Sequence, residues 1–477
     1  MLVFAHCQHH PWSSISPTIH LLETCKTSED INKIHSRLIT TGFIKNPNLT
    51  TRIVLAFASS RRPFLAQFAR CLFHEYHVRS VSTVEEVKDP FLWNAVIKSH
   101  SHGLDPIKAL FLLCLMLENG VPVDKFSLSL VLKACSRLGF VKEGTQIHGF
   151  LIKSGAWSDL FLQNCLIGLY IKCGFLGFSR QVFDRMPQRD SVSYNSMIDG
   201  YHMEALEVFN HMEKESHLSP DETTLVIVLS AIAQLGRLSK AIDMHLYIVE
   251  KQFPLSGKLG VALIDMYSKC GSIQHAMRVF EGIESKSIDH WNAMIGGLAV
   301  HGLGESAFDM LLQIERSSIK PDHITFVGVL NACSHSGLVK EGLLCFELMR
   351  RKHKIQPRLQ HYGCMVDILA RSGSIELAKN LIEEMPIEPN DVIWRTFLSA
   401  CSHHKEFETG ELVAKHLILQ AGYNPSSYVL LSNMYASNGM WKDVRRVRTM
   451  MKEKKIEKLP GCSWIELDGR VHEFLCR

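Results

Sequence analysis

Asparagine and aspartate recur in this sequence in a way that could recognise the edge of a nucleotide base. The same phrase, an aromatic residue followed by asparagine, opens three segments, and an aspartate closes each of them. An asparagine amide both donates and accepts hydrogen bonds, whereas a carboxylate accepts them. Side chains of this kind, one set per helical repeat, can read the exposed edge of an unstacked base. The three segments run from Asn94 to Asp124, from Asn195 to Asp221 and from Asn292 to Asp322.

Helix capping is the alternative explanation for these residues. Asparagine near the start of a helix and aspartate after proline are ordinary N-cap and turn residues. A single asparagine would favour a cap; the recurrence at one phase, joined to the family resemblance described below, favours base recognition. The neighbouring aromatic residues, Trp93, Tyr194 and Trp291, could stack on bases. Because they lie at an apolar phase, we expect them to pack in the core instead.

A repeat of about 100 residues positions these side chains. Asn94 and Asn195 lie 101 residues apart, and Asn195 and Asn292 lie 97 residues apart. Each period divides into units of about 35, 35 and 31 residues, and each unit contains two apolar-periodic helices around a glycine-containing turn. The chain is 46% apolar and 21% charged, which is ample for a buried core. Since no segment has the alternating pattern of a strand, the sequence predicts one continuous all-α solenoid of helix pairs.

The unit boundaries divide the chain into five parts. We predict a leader at residues 1–14 and two degenerate units at 15–89, with an insertion around residues 77–87. Helix pairs without the asparagine and aspartate are predicted at 391–461, followed by a short tail at 462–477. Between them lies an array of nine units: 90–124, 125–159, 160–190, 191–221, 222–256, 257–287, 288–322, 323–358 and 359–390.

The unit at 191–221 lacks the turn between its helices. Gly200-Tyr201 runs directly into His202, and the unit is about four residues shorter than its type. This short unit could have arisen by loss of four residues, or by loss of several whole repeats and four further residues. Both losses would leave a unit of the same length. A helix pair without its turn should pack poorly, so we expect local disorder or one long bent helix near Tyr201.

In these features the chain resembles the plant pentatricopeptide-repeat proteins that mix long and short repeats. Residues 393–401, 427–435 and 460–466 look like the E-type extension of that class. The resemblance covers about residues 15–474 and is strongest to the chlororespiratory-reduction editing factors of chloroplasts. It implies a right-handed superhelix of helix-turn-helix repeats. It also implies binding to single-stranded organellar RNA and selection of cytidines for C-to-U editing.

The resemblance assigns a base to some of the units. In the family's code, an asparagine near the start of a unit and an aspartate at its end read uridine. The array would run parallel to the RNA, with its last unit about four nucleotides upstream of the edited cytidine. Four units carry the pair: Asn94/Asp124, Asn164/Asp190, Asn195/Asp221 and Asn292/Asp322. Three units depart from it: Ser129/Asp159 in a long-type unit, Val261/Ser287 without a polar reader, and Gly363/Asn390 without a side chain at the first position.

Catalysis by this chain is not expected. A zinc cytidine deaminase needs His-x-Glu and Pro-Cys-x-x-Cys, because zinc takes three protein ligands and the glutamate moves protons. Residues 202–204 and 211–213 match His-x-Glu, but Cys-x-x-Cys does not occur. We therefore expect no metal or other cofactor. By the resemblance, a deaminase-bearing partner protein would bind at the E-type region.

Two other functions stay open. The first keeps RNA binding but leads to transcript stabilisation, processing or splicing. The second is a helical scaffold that binds only protein, which the 35/35/31 alternation and the asparagine–aspartate phrase oppose. The basic run at 445–448, continued at 452–455, is either a solvated helix face or a set of phosphate contacts.

The resemblance implies a chloroplast protein, with the mitochondrion as the alternative. The first 22 residues contain no acidic residue, which suits a transit peptide, and no arginine or lysine, which does not. The longest apolar run, residues 109–117, is too short to cross a bilayer. No membrane partner is therefore expected.

Overall fold

A computed structural model describes most of the chain between residues 22 and 476. The chain forms two compact units, Met1–Ser219 and Pro220–Arg477. The predicted leader and most of the predicted insertion at 77–87 lie outside the described residues. The positions outside the description are 1–21, 23, 26, 43–46, 59, 61, 79–88, 104, 216–217, 421–424, 457–460, 468–469 and 477.

Every regular element that the structure describes in the first unit is a helix. Its α-helices are α1 (Ser28–Thr40), α2 (Pro47–Phe57), α3 (Pro63–Leu72), α4 (Pro90–His102), α5 (Ile107–Glu118), α6 (Lys125–Leu138), α7 (Val141–Lys153), α8 (Leu160–Lys172), α9 (Leu176–Arg185), α10 (Ser191–Gly200) and α11 (Ala205–Lys214). A π-helical segment, Phe73–Val78, continues α3, and 3₁₀ turns form at Ala156–Ser158 and His202–Glu204.

The second unit continues with helices and ends in a hairpin. Its α-helices are α12 (Glu222–Leu235), α13 (Leu238–Glu250), α14 (Lys258–Lys269), α15 (Ile273–Gly282), α16 (Ile288–Val300), α17 (Gly304–Arg316), α18 (His323–Ser336), α19 (Val339–Glu347), α20 (Leu359–Arg371), α21 (Ile375–Glu384), α22 (Asp391–His403), α23 (Phe407–Gln420), α24 (Pro425–Ser437) and α25 (Trp441–Glu453). A π-helical segment, Leu348–Lys352, follows α19, and the strands are β1 (Gly461–Leu467) and β2 (Arg470–Cys476).

The helices pair, and the first helix of each pair packs on the first helix of the next. In the first unit this row runs α4, α6, α8 and α10, and in the second it runs α12, α14, α16, α18, α20, α22 and α24. Each second helix packs on its own partner and, where a first helix follows it within the same unit, on that helix as well. The all-α prediction of tandem helix pairs is confirmed for this array. Within the described part of the chain, no helix combines the length and apolarity needed to span a membrane.

Buried aromatic residues hold the asparagines in place. Trp93 and Tyr194 are fully buried and Trp291 is 8% exposed, so the prediction that they pack in the core is confirmed. Each ring meets a phenylalanine of the preceding pair edge to face, with centroids 4.9–5.1 Å apart. Since such contacts fix the ring, they also fix the position of the asparagine that follows it. Asn94 is 9% exposed, and Asn195 and Asn292 are half-buried.

The short unit at 191–221 contains a defined turn, so the expectation of disorder or one long bent helix is wrong. Helix α10 ends at Gly200, a 3₁₀ turn follows, and α11 begins at Ala205. Tyr201 is 9% exposed, and its hydroxyl bonds to Ser179 Oγ at 2.9 Å and to the Leu176 carbonyl. A buried tyrosine thus replaces the glycine turn, because its ring and hydroxyl anchor the break to the preceding helix pair.

The tail forms a sheet, which the sequence analysis did not expect. Strand β1 pairs with β2 in antiparallel register, from Gly461 opposite Cys476 to Leu467 opposite Arg470. The sequence does contain a hairpin pattern: strand-favouring residues such as Trp464 and Phe474 flank Asp468-Gly469, a dipeptide typical of tight hairpins. The expectation that no segment forms a sheet is therefore wrong for the tail.

Candidate functional site

The asparagine and aspartate of one repeat lie side by side and are hydrogen bonded. Asn94 is the fifth residue of α4, and Asp124 immediately precedes α6. Asn94 Nδ2 donates to the Asp124 carboxylate, at 3.0 Å from Oδ1 and 3.1 Å from Oδ2. The hydroxyl of Ser127 donates to Asn94 Oδ1 at 2.7 Å. The packing of α4 on α6 therefore assembles one polar cluster from two consecutive repeats.

The same three-residue cluster occurs twice more, once in each compact unit. In both cases Nδ2 of the asparagine donates to the aspartate, and a hydroxyl three residues beyond the aspartate donates to Oδ1. The clusters are Asn164–Asp190–Ser193, at 3.1 and 2.8 Å, and Asn292–Asp322–Thr325, at 3.2 and 2.7 Å. Both pairs were predicted from the sequence, but the hydroxyl was not, although a polar side chain three residues after an N-cap forms a capping box here.

The capping explanation is right for the aspartates and wrong for the asparagines. Each aspartate is the N-cap of the next first helix, and its carboxylate accepts a backbone N–H within that helix. The distances are 2.8 Å from Ser127 N to Asp124 and 2.9 Å from Thr325 N to Asp322. Asn94 and Asn292 instead lie in the second turn of their helices. An asparagine at that position caps nothing, so its amide is left to other partners.

Two of the aspartates are held in the ionised form. Burial would raise the pKa of Asp322, but hydrogen bonds from Thr325, Asn292 and Ile324 outweigh it and lower that pKa below 3.8. For Asp190, burial likewise opposes the hydrogen bonds from Ser193 and Asn164, which prevail and lower its pKa. Both carboxylates therefore act as acceptors at neutral pH.

These lowered pKa values predict an acid-sensitive contribution to folding. A carboxylate whose pKa is lower in the folded state stabilises the fold above its ordinary pKa, and the contribution is lost as the pH falls through the folded-state value. We expect the urea midpoint of Asp322→Asn to fall less than that of the parent protein between about pH 7 and about pH 3. Asparagine keeps the cap, so the variant should fold. Asp309→Asn, on an exposed position, is the control and should retain the parent's acid sensitivity. An acid loss in Asp322→Asn equal to the parent's would contradict the assignment.

The units that depart from the pattern also lack the cluster. Ser129 Oγ donates to the Phe126 carbonyl of its own helix at 3.0 Å. Asp159 caps α8 through Leu162 N at 3.1 Å and lies 3.8 Å from Lys125 Nζ.

Later in the array, Asn390 caps α22 through Ile393 N at 3.1 Å. Ser287 bonds to His290, at 2.8 Å from Oγ to Nδ1. The structure thus places Ser129, Asp159, Asn390 and Ser287 in capping or local contacts.

The fourth predicted pair spans the boundary between the two compact units. Asn195 is the fifth residue of α10 and is half-buried. Asp221 is exposed and caps α12, where it accepts from Thr224 N at 2.7 Å and from the Thr224 hydroxyl at 2.8 Å. Asn195 therefore has the same helix position as the other asparagines, and Asp221 is an N-cap like the other aspartates.

A set of exposed apolar side chains beside the asparagines was also missed from the sequence. Phe91 is the second residue of α4, three residues before Asn94, so the two side chains share a helix face. Its counterpart Phe126 is the second residue of α6, two residues after Asp124. The set, each the second residue of a first helix and 49–57% exposed, comprises Phe91, Phe126, Phe161, Val192, Ile324 and Val392. No role was predicted for these residues from the sequence, because their exposure depends on where each helix begins.

Exposed basic side chains of the basic run lie on the last helix, α25. Arg445, Arg448 and Lys452 are exposed on α25, and Trp441 at its start is 62% exposed. Their spacing of four, three and four residues places all of them on one face. Arg448 Nε donates to Ser432 Oγ at 3.3 Å.

Within the described residues, no group of three or more histidine, cysteine, aspartate or glutamate side chains could hold a metal ion.

Comparisons with known proteins identify repeats and a C-terminal motif in this chain. The PPR repeat profile matches residues 91–121, 164–191, 261–288, 289–319, 324–353 and 361–388, and the E motif profile matches residues 404–466. A chloroplastic pentatricopeptide repeat-containing protein of Arabidopsis thaliana is 68% identical, covering 99% of this chain and 98% of its own. A second Arabidopsis protein of the same description is 36% identical over 96% of this chain and 75% of its own.

A solved structure also aligns with the chain, but less closely. The pentatricopeptide repeat protein PPR10 in complex with an 18-nt psaJ RNA element is 17% identical and covers 92% of this chain and 82% of its own, with a TM-score of 0.39. That similarity is too low for a comparison residue by residue.

The alignment with the 68% identical relative spans 606 positions. Since this chain has 477 residues, at least 129 of those positions (606 − 477) have no residue here.

Proposed function

This chain belongs to the pentatricopeptide-repeat family, and from that premise we propose that it is a site-recognition factor for RNA editing. It binds single-stranded RNA by sequence and marks a cytidine for C-to-U conversion, while a partner protein supplies the deaminase. The chloroplast location is confirmed by the relative that is 68% identical and named as chloroplastic. The E motif supports editing over transcript stabilisation, processing or splicing.

The recurring asparagine–aspartate–hydroxyl cluster is the observation that carries this proposal. The half-buried Asn292 has two hydrogens on its amide nitrogen, and its single bond to Asp322 uses one of them. The other hydrogen is available to a base. Uracil offers acceptors at its edge and a donor at N3, which suits an amide N–H beside a carboxylate oxygen. The cluster is thus complementary to uridine.

The exposed apolar side chains give this cluster a stacking platform. Phe91 precedes Asn94 on one helix and Phe126 follows Asp124 on the next, so the two flank the polar pair. Aromatic and apolar side chains bind unstacked bases by their faces without regard to sequence, at about 1–3 kcal/mol per base. In our proposal the apolar residues hold each base and the polar pair selects it.

The E-type region would supply two further contacts. The exposed basic face of α25 is suited to RNA phosphates, which add affinity without sequence preference. Helix α23 exposes Leu412 by 70% and Leu419 by 84%, seven residues apart and so on the same face. An exposed apolar strip of this kind suits a protein partner. We assign it to the deaminase-bearing protein.

The test is binding to a designed RNA. With one base per unit of the array, the predicted element is 5′-UNUUNNUNN-3′, where N is any base and uridines face the units of Asn94, Asn164, Asn195 and Asn292. We expect at least tenfold tighter binding than to a scrambled RNA of equal composition, because each specific polar contact contributes about 1–3 kcal/mol. The measurement is fluorescence anisotropy on the full chain with both RNAs.

Two outcomes would replace the proposal. Equal affinity for the element and its scrambled form, at any salt concentration, would indicate a protein-binding scaffold. Selective binding without editing would indicate the stabilisation, processing or splicing role. The second outcome is measured by purifying bound RNA from chloroplasts and sequencing it: an editing factor should enrich transcripts with an edited cytidine about four nucleotides beyond the element.

A further inference from the structure

The hydroxyl that completes each cluster is present in the same units of the array as the asparagine. Three residues after the end of a unit, every unit with an asparagine reader has serine or threonine: Ser127, Ser193, Thr224 and Thr325. The other five units of the array have no hydroxyl at that position, where they carry Leu162, Leu259, His290, His361 and Ile393. The hydroxyl and the asparagine therefore occur together.

Capping explains only part of this association. Asp159 caps α8 as the other aspartates cap their helices, yet its unit has Leu162 at the hydroxyl position. The bond to the aspartate carboxylate comes from the backbone N–H of that residue. The distance is 2.8 Å from Ser127 N to Asp124 Oδ1 and 2.9 Å from Thr325 N to Asp322 Oδ1. The hydroxyl also closes a capping box, because the backbone N–H of Asp124 donates to Ser127 Oγ at 3.4 Å and that of Asp322 donates to Thr325 Oγ1 at 3.1 Å. It therefore serves the cap, and it acts in addition on the asparagine.

The structure shows what the hydroxyl contacts. Ser127 Oγ lies 2.7 Å from Asn94 Oδ1 and 2.9 Å from Asp124 Oδ1. Thr325 Oγ1 lies 2.7 Å from Asn292 Oδ1 and 3.0 Å from Asp322 Oδ1, so in both clusters the asparagine oxygen is the nearer acceptor. The two ends of the amide therefore face different groups: Oδ1 accepts from a hydroxyl and Nδ2 donates to a carboxylate. A flipped amide would set Oδ1 against the carboxylate oxygens and leave the hydroxyl facing two N–H donors.

We propose that the hydroxyls of Ser127, Ser193 and Thr325 orient the asparagine amides and thereby make each site select uridine over cytidine. This inference rests on the proposed function. A uracil presents the O4 acceptor where a cytosine presents its N4 amino donor. An amide fixed with Nδ2 beside the carboxylate offers a donor, which pairs with O4 and opposes the amino group. The hydroxyls are positioning residues, since they act through the amide and do not touch the base.

The test is the ratio of affinities for two RNAs that differ only in U or C at the nucleotide facing the Asn292 unit. Thr325→Val removes the hydroxyl and keeps the shape and the backbone cap. We expect the U-over-C ratio to fall about three- to tenfold, the equivalent of one hydrogen bond. Thr325→Ser restores the hydroxyl and should keep the parent's ratio. Ser193→Ala, measured with U or C at the nucleotide facing the Asn164 unit, gives a second, independent reading.

The outcomes separate this inference from the proposed function. If the parent protein prefers uridine and both hydroxyl deletions keep its ratio, the inference is overturned while base reading stands. If the parent protein itself shows no preference between U and C, both are overturned. A general weakening of binding with the ratio unchanged would show a structural role only, and would also overturn the inference.

Discussion

Replacing Arg445, Arg448 and Lys452 together by glutamine is expected to weaken RNA binding about a hundredfold at ~0.1 M salt, whatever the RNA sequence. Each phosphate contact on a single strand contributes about 0.7 to the slope of log affinity against log salt concentration. Loss of three contacts therefore lowers the slope by about 2. Between ~1 M and ~0.1 M salt this corresponds to a loss of about 2 in the logarithm of the affinity, which is the hundredfold effect. The measurement is a salt titration of binding to the designed element and to its scrambled form.

The distribution of charge is the reason for so large an effect. Residues 441–455 contain seven lysines and arginines and two acidic residues, a net charge of +5 (7 − 2). The whole chain has a net charge of +4, so the remainder carries −1 (4 − 5). Long-range attraction to a polyanion must therefore come largely from this one segment. In addition, Trp441 lies on the same face and can stack on a base.

A matched control removes the same charge elsewhere. Lys142, Lys240 and Lys340 are exposed near the starts of three second helices, and their glutamine variant should lose far less affinity. Equal losses in the two triple variants would mean that only net charge matters. An unchanged salt slope in the α25 variant would show that this face is merely solvated and would remove it from the RNA interface.

The repeat and its polar pairs could be predicted from the sequence because both depend on spacing alone. Asn94 and Asp124 are distant in sequence, but a period shared by several units implies that they meet at one junction between helices. The role of each residue could not be predicted in the same way. That Asp124 is a cap and a partner of Asn94 at once depends on how closely α4 and α6 approach, and spacing does not specify that distance.

Other features could not be predicted from the sequence, for a different reason. Phe91 and its counterparts are apolar, and apolar residues are buried far more often than they are displayed. Only the helix start, which the structure sets at Pro90, shows that Phe91 faces outward. Tyr201 was misjudged because a turn without glycine has no local sequence pattern. Its stability comes from the contact with Ser179, which is made by tertiary packing.

The Asn292→Thr substitution is the second change for which we expect a large effect, and this effect should be confined to one nucleotide. Threonine has no amide N–H, so the donor to the base and the bond to Asp322 are both lost. We expect uridine binding at the facing nucleotide to weaken by about 1–3 kcal/mol. By the family's code, the preference there should also shift from uridine toward a purine. Competition among four RNAs that differ only at that nucleotide measures both quantities.

Position on the helix distinguishes this effect from a general loss of structure. Val300 lies on α16 with Asn292 and is 73% exposed, so Val300→Thr should leave all four affinities unchanged. The buried Trp291 and the cap at Asp322 remain in the Asn292→Thr variant, and its thermal unfolding should match the parent's closely. If the variant bound the four RNAs in the parent's order, Asn292 would have no part in base selection. Because the same cluster recurs at Asn94 and Asn164, that result would count against all three sites at once.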